Sequence, residues 1–180
     1  MNGRTWVYAD PHFYHKNICK FTNYDGSPLR PWDDVEQMNE DMIGWYNELV
    51  DAGDRVYILG DVAFSKKDMW NSVGRLKGRK CLIPGNHDPK SLKTYIDVFD
   101  DVRGYVQRSG FIMSHIPIHP GSMGRWKVNI HGHLHNNFVE DTRLDLAPRT
   151  PDHRYFCASV ERTNFRPILL DKILEQVGLK

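Results

Sequence analysis

Short β-rich runs that alternate with helical segments most constrain what this chain can fold into. The predicted strands cover residues 5–9, 55–59, 80–83, 110–114, 127–130 and 155–160. The predicted helices cover residues 33–52, 66–76, 90–98 and 170–178. The longest helix carries apolar residues at helical spacing, and Asp33 with Glu36 at its start resembles a capping box. Because helices separate the first three strands and strands dominate the second half, we expect an α/β (α+β) chain in a layered sandwich with helices outside.

The composition is typical of a folded chain. Its 180 residues are 40% hydrophobic, and a chain of this length buries roughly 70% of its unfolded-state surface, so we expect one domain over residues 1–180. The formal net charge of +1 does not indicate stable binding to nucleic acid or to a membrane. The sequence has no run near the ~20 apolar residues of a membrane span, no signal-peptide pattern and no C-x-x-C pair. We therefore expect a cytoplasmic protein with reduced cysteines.

Potential metal ligands follow five of the predicted strands at the point where each strand ends. The segments are Asp10-Pro11-His12, Gly60-Asp61, Pro84-Gly85-Asn86-His87-Asp88, His115 and His131-Gly132-His133-Leu134-His135. A lone aspartate after a strand usually caps a turn or a helix, but five such strand ends together favour a shared site. Since ligands of α/β folds lie beyond the carboxyl ends of the strands, we expect these side chains to converge there.

The ligand atoms of these segments indicate which ions the site would hold. Carboxylate oxygens and imidazole nitrogens without thiolates favour Mn²⁺, Fe or Zn²⁺ over Ca²⁺ or an iron–sulfur cluster. A carboxylate can also bridge two ions, and two cations about 3.5–4 Å apart can deprotonate water at neutral pH and hold the oxygens of an in-line displacement at phosphorus. Gly60, Gly85 and Gly132 precede three of the ligand-bearing turns, where the chain must bend sharply. The pattern indicates a metal-dependent hydrolase.

The order of these motifs resembles a known superfamily. D-x-H, GD, GNHD, a lone strand-end histidine and GH-x-H, in that order between residues 10 and 135, are similar to the motifs of the calcineurin-like metallophosphoesterases. The stretches DPHFYHKNICKF and VERTNFRPILLDKI resemble small bacterial and phage members of that superfamily. The resemblance implies a four-layer αββα double β-sandwich and a centre of two divalent transition metals, with Mn²⁺ favoured and Fe, Zn²⁺ or Ni²⁺ as alternatives.

The resemblance also implies a role for each motif residue. The first metal would be held by Asp10, His12, Asp61 and His135, and the second by Asp61, Asn86, His115 and His133. His87 would contact the phosphoryl group and either steady its charge or protonate the leaving oxygen, with Asp88 as an orienting partner. The implied reaction is phosphoester hydrolysis, in which a metal-bridging hydroxide attacks phosphorus in line.

Two positions depart from the serine/threonine phosphatases of that superfamily. Phe64 stands where their aspartate of an Asp-Arg pair follows GD, and Pro84 stands where their arginine precedes GNH. A dianionic monoester benefits from fixed arginines more than a singly charged diester does. We therefore favour a phosphodiesterase that acts on a small, nucleotide-like phosphoester. The alternatives are a phosphomonoesterase and a catalytically inactive module that binds metal or a partner.

Six further residues are candidate substrate contacts: His15, Lys16, Asn17, His119, Arg125 and Trp126. Arg125 and Trp126 have side chains that stack on planar groups, although a tryptophan that anchors a long loop is an equal alternative. His15 and Asn17 follow the first ligand loop closely, and a helix start is the competing interpretation. His119 either lines the pocket or caps a turn. A metallo-β-lactamase would need H-x-H-x-D-H, which HGHLHN does not provide.

Overall fold

A five-stranded sheet holds the first three strands of the chain level at one edge. A computed structural model describes residues 3–89, 91–143 and 149–180. The sheet contains β1 (Thr5–Tyr8), β2 (Arg55–Ile58), β3 (Arg79–Leu82), β4 (Asp101–Val102) and β9 (Ile168–Leu169), in the order β4-β3-β2-β1-β9. Strands β1 to β4 are parallel, and β9 is antiparallel to β1. Because Tyr8 pairs with Ile58 and Ile58 with Leu82, the first three strands end side by side at one edge.

A second, four-stranded sheet is built from the later strands. It contains β5 (Val106–Arg108), β6 (Phe111–Met113), β7 (Val128–His131) and β8 (Tyr155–Cys157) in sequential order. The β5–β6 hairpin is antiparallel, and β6, β7 and β8 are parallel. The predicted strand at 155–160 was wrong beyond Cys157, because Ser159 leaves the sheet to form an isolated bridge with Ala9.

The helices are shorter than the sequence predicts. They are α1 (Val35–Leu49), α2 (Lys66–Val73), α3 (Leu92–Tyr95) and α4 (Leu170–Gln176), with 3₁₀ helices at Lys16–Lys20, Pro120–Ser122 and Val160–Arg162. Asp34, and not Asp33, caps α1, because its carboxylate accepts the backbone N–H groups of Glu36 and Gln37. No helix in the described ranges has the length and apolarity needed to span a membrane.

The two faces of the first sheet pack against different partners. Alternate residues such as Tyr8, Ile58 and Leu82 join a buried cluster with Met38, Met42 and Tyr46 of α1 and with Met69 and Val73 of α2. The intervening residues Val7, Tyr57 and Cys81 join a second cluster with Phe111, Met113, Val128 and Ile130 of the second sheet. This period-two alternation buries both faces of the sheet. The result is an α/β chain with two mixed sheets.

Candidate metal centre

The candidate ligands lie on loops whose backbone is strained. Five of them have left-handed φ values: Asp10 at 55°, His12 at 49°, Asp61 at 50°, His133 at 71° and His135 at 51°. This conformation is uncommon for non-glycine residues and costs on the order of 1–3 kcal/mol at each position. The backbone N–H of Asp10 donates to Gly60 O at 3.1 Å and that of His12 to Asp61 O at 3.0 Å, so the first two loops are tied together. Strain of this kind concentrates at functional sites.

Two glycines allow these loops to approach the carboxylates closely. A Cβ atom at Gly132 would lie 2.5 Å from Asp10 Oδ2, and a Cβ atom at Gly85 would overlap the Asp61 carboxylate. Both positions therefore require glycine for close approach and not for a left-handed φ.

The first group of ligand atoms comes from Asp10, His12 and His135, and these atoms lie within 4.8 Å of one another. The Asp10 carboxylate accepts the Ser159 hydroxyl at 2.7 Å and the His133 backbone N–H at 2.9 Å. Burial raises the pKa of Asp10 to about 6, against the lowering effect of the neighbouring histidines. A fully buried carboxylate in this situation gains from a cation nearby.

His12 supplies a free nitrogen to this group. Its Nε2 atom is buried and has no hydrogen-bond partner among the described residues. Burial lowers the pKa of His12 far below its ordinary value, and the charge of Arg30 adds to the effect. The imidazole is therefore neutral at physiological pH, and its unpaired nitrogen is available to a metal ion.

The second group contains Asp61, His115 and His133, again within 4.8 Å of one another. His115 Nδ1 donates to the Leu59 carbonyl at 2.8 Å, which leaves the lone pair on Nε2 when the ring is neutral. That lone pair lies 2.9 Å from Asn86 Oδ1. With the amide in this orientation neither atom carries a hydrogen, so the approach fits two atoms that share a cation.

Asp61 lies between the two groups. Its Oδ2 atom is 3.6 Å from Nε2 of His12, in the first group, and 3.5 Å from Nε2 of His115, in the second. Its Oδ1 atom accepts the backbone N–H of His87 at 2.9 Å, which fixes the carboxylate. One buried carboxylate thus faces ligand nitrogens of both groups.

A buried ion pair that sequence reasoning missed supports His135. Glu161 Oε1 lies 3.0 Å from His135 Nδ1 and 2.7 Å from a guanidinium nitrogen of Arg30. Arg30 also donates to the carbonyls of Asp10 and Pro11, at 2.7 and 2.6 Å. Burial would lower the pKa of His135, but the hydrogen bond and charge of Glu161 raise it. A carboxylate on Nδ1 orients the other ring nitrogen toward a metal. In the sequence, Glu161 stands in the segment VERTNFRPILLDKI, and its distance along the chain from the ligand motifs gives no indication that it contacts them.

His87 and Asp88 occupy different environments in the GNHD turn. The His87 side chain is exposed, with its ring centroid 5.7 Å from that of His12 and 5.3 Å from that of Phe64. Asp88 is buried, and its carboxylate accepts backbone N–H groups of Val62 at 2.7 Å and Gly85 at 2.8 Å. These bonds join two ligand loops and do not involve the His87 ring, so an orienting role for Asp88 stays a prediction.

The predicted substrate contacts lie in three places. His15 is beside the first group, with ring centroids 5.6 Å from His12 and 4.7 Å from Phe64, and Lys16 and Asn17 follow it at the exposed start of a 3₁₀ helix. His119 accepts the Gly121 backbone N–H at 3.1 Å and so caps a turn. Arg125 and Trp126 line a separate cavity of about 430 Å³ with residues 107–110, none of which belongs to either ligand group.

Fold and site together define an α/β chain with two Asp/His groups that could hold metal ions at one edge of a mostly parallel sheet. No family model matches the chain. It is 30% identical over 177 residues to the uncharacterized protein MJ1445 of Methanocaldococcus jannaschii, covering 97% of this chain and 91% of that protein. The chain therefore belongs to the same family as MJ1445. It is also 34% identical over 88 residues to the Gene 66 protein of Mycobacterium phage L5, covering 47% of this chain and 39% of the phage protein.

A solved structure shares this fold. The protein of unknown function AQ665 from Aquifex aeolicus matches with a TM-score of 0.67 at 23% identity, over 97% of this chain and 99% of that one. Nuclease MPE of Pseudomonas putida matches with a TM-score of 0.46 at 21% identity, over 82% of this chain and 68% of that one. A TM-score at the latter level does not establish a shared fold.

Proposed function

We propose that this chain is a binuclear-metal-dependent phosphoester hydrolase of the calcineurin-like metallophosphoesterase superfamily, with its sheets and helices in four αββα layers. The observation that carries the proposal is the position of Asp61, whose carboxylate faces ligand nitrogens of two separate Asp/His groups. A site for a single ion would not need a second group of this kind. The neutral, unpaired Nε2 of His12 and the opposed lone pairs of His115 and Asn86 support the same conclusion.

In this proposal Asp10, His12 and His135 would hold one ion, His115, His133 and Asn86 would hold the other, and Asp61 would serve both. When bound, two divalent ions lower the pKa of water and neutralise charge on phosphoryl oxygens. Carboxylate, imidazole and amide ligands favour Mn²⁺, with Fe, Zn²⁺ and Ni²⁺ as alternatives.

The chain's own residues would bind and orient the substrate. His87 is exposed at the rim of the centre and can donate a proton to the leaving oxygen or a hydrogen bond to the phosphoryl group. The Phe64 ring lies edge-on to His87 and His15 and packs against both imidazoles. A proton from His87 would thus neutralise the charge of the leaving alkoxide.

A diester is favoured over a monoester because Arg30, the described arginine that binds the Asp10 backbone, is already held by other groups. Arg30, the arginine beside Asp10, is fully buried and donates to Glu161 and to two carbonyl groups. Phe64 and Pro84 stand at the two positions where the serine/threonine phosphatases of the superfamily have aspartate and arginine. With the metal centre as the main source of positive charge, a singly charged phosphodiester fits better than a dianion.

The decisive test is a Mn²⁺-supplemented assay of aryl phosphodiester and aryl phosphomonoester substrates, alongside elemental analysis of the purified protein. We expect two bound transition metals and faster turnover of the diester. Faster turnover of the monoester would identify a phosphatase. Stoichiometric metal without turnover of either ester would identify a binding module, and active protein without metal would overturn the proposal.

A further inference from the structure

A cleft of about 1240 Å³ opens beside the candidate metal centre. One wall is formed by residues 20–25 with Leu29, and the other by residues 135–138 with Arg149. His135 lines this cleft and also belongs to the first group of ligand atoms. A molecule whose phosphate lies at the centre can therefore extend into the cleft.

Three aromatic side chains line the cleft. Tyr24 is 90% exposed and Phe21 is 47% exposed. Phe138 is partly buried, and the Arg149 guanidinium lies 5.5 Å above its ring centroid. Exposed rings that cluster along one cleft form the kind of apolar patch that marks a ligand-binding groove. A cation over a ring and a nearly free tyrosine both suit a flat aromatic ligand.

The polar groups of the cleft suit a ligand with hydrogen-bonding edges. Asn136 Nδ2 donates to Asn23 Oδ1 at 2.9 Å and links the two walls, while the Asn137 side chain makes no hydrogen bond among the described residues. Carboxamides offer both donors and acceptors, which match the edges of nucleobases. Lys20 is exposed and forms no ion pair in the described ranges, whereas Asp25 is held by Ser27. An acyl chain would offer the Asn137 carboxamide no hydrogen-bonding group.

We propose that this cleft binds the nucleobase of a nucleotidyl phosphodiester whose phosphate lies at the metal centre. The inference rests on the proposed function and assigns its specificity to Tyr24, Phe21 and Phe138, which stack on the base. Arg125 and Trp126, which the sequence offered as candidate stacking residues, lie instead in a separate cavity whose lining contains no residue of either ligand group. Selectivity for a nucleoside would then come from the two loops, residues 20–25 and 135–138, that line the cleft beside the metal centre.

The test uses two diesters with the same leaving group. The para-nitrophenyl ester of thymidine monophosphate and methyl para-nitrophenyl phosphate both release para-nitrophenol on hydrolysis, but only the first carries a base. The ratio of their kcat/KM values measures recognition of the nucleoside. We expect Tyr24→Ala and Phe21→Ala each to lower this ratio about tenfold, the loss typical of one stacking contact. Tyr105→Ala, which removes another exposed tyrosine ring outside the cleft, should leave the ratio unchanged.

The outcomes separate the cleft from the reaction. Hydrolysis of both esters with an unchanged ratio in the Tyr24→Ala variant would overturn the cleft assignment while the hydrolase proposal stands. If the metal-loaded protein cleaves neither ester, the hydrolase proposal fails. Calorimetric titration with thymidine monophosphate then tests whether the cleft binds a nucleotide. Binding that weakens in Tyr24→Ala but not in Tyr105→Ala would support a base site, whereas equal or absent binding would overturn it.

Discussion

Two edges of the first sheet carry buried aspartates in opposite electrostatic situations. At the carboxyl edge, where β1 to β3 end, burial raises the pKa of Asp10 to about 6. At the amino edge, Asp54 lies just before β2, and burial raises its pKa less than the bonds from Trp6, Asp51 and Arg4 lower it, to about 2. The chain itself stabilises the charge of Asp54 and leaves that of Asp10 in need of a cation. Two aspartates with almost no exposed surface therefore differ in pKa because Asp10 is the more strongly desolvated and Asp54 receives more hydrogen bonds from the chain.

The largest expected effect comes from Asp61→Asn at the carboxyl edge. An amide lacks the negative charge needed to face two cations, so we expect kcat/KM on the preferred ester to fall roughly a thousandfold. Elemental analysis should show that metal is lost together with activity. Asp171→Asn, which changes an exposed aspartate paired with Lys180, is the control. Near-normal turnover in Asp61→Asn would mean that the reaction occurs elsewhere.

His87→Ala should separate chemistry from metal binding. The side chain lies outside both ligand groups, so the variant should keep its metals while kcat falls about a hundredfold, as expected for the loss of a general acid. His153→Ala, at another exposed histidine, is the matched control. Loss of metal in parallel with kcat would show that His87 is a ligand and not a proton donor.

Glu161→Gln should act on the first ligand group alone. A glutamine keeps the size of the side chain but weakens the interaction with His135 Nδ1, so we expect Mn²⁺ affinity at one of two sites to fall about tenfold. Isothermal titration should show the second site unchanged, because His115 is held by a backbone carbonyl. Glu40→Gln, in the exposed pair with Arg75, controls for loss of charge. Equal weakening of both sites would contradict this division.

The contrast between Asp61 and Glu161 shows what the sequence could and could not predict. Asp10, Asp61 and the glycine-preceded histidines follow predicted strands, and level parallel strands bring such residues together wherever the helices lie. Glu161 meets Arg30 across 131 residues of sequence, and no local pattern encodes that contact. Strands β4 and β9 have two residues each, too few for a period-two pattern, so sequence periodicity missed them. The cleft aromatics were missed because exposure is a property of tertiary structure.

The smallest effect is expected at the amino edge and concerns stability and not activity. Asp54 accepts the Arg4 backbone N–H at 2.7 Å and the Trp6 indole N–H at 2.9 Å, so Asp54→Asn should lower the free energy of unfolding by about 1–2 kcal/mol. Because the pKa of Asp54 lies near 2 when folded and near 3.9 when unfolded, its contribution is complete above about pH 5 and is lost as the pH falls toward 2.

Urea unfolding of the metal-free protein between pH 7 and pH 2 would measure this contribution. The difference between wild type and Asp54→Asn should be constant from pH 7 to about 5 and shrink below about pH 4, while Asp171→Asn should show no comparable trend. A difference that does not change with pH would mean that Asp54 acts through packing and not through its charge. The distinction between the two edges of the sheet would then lose its electrostatic basis.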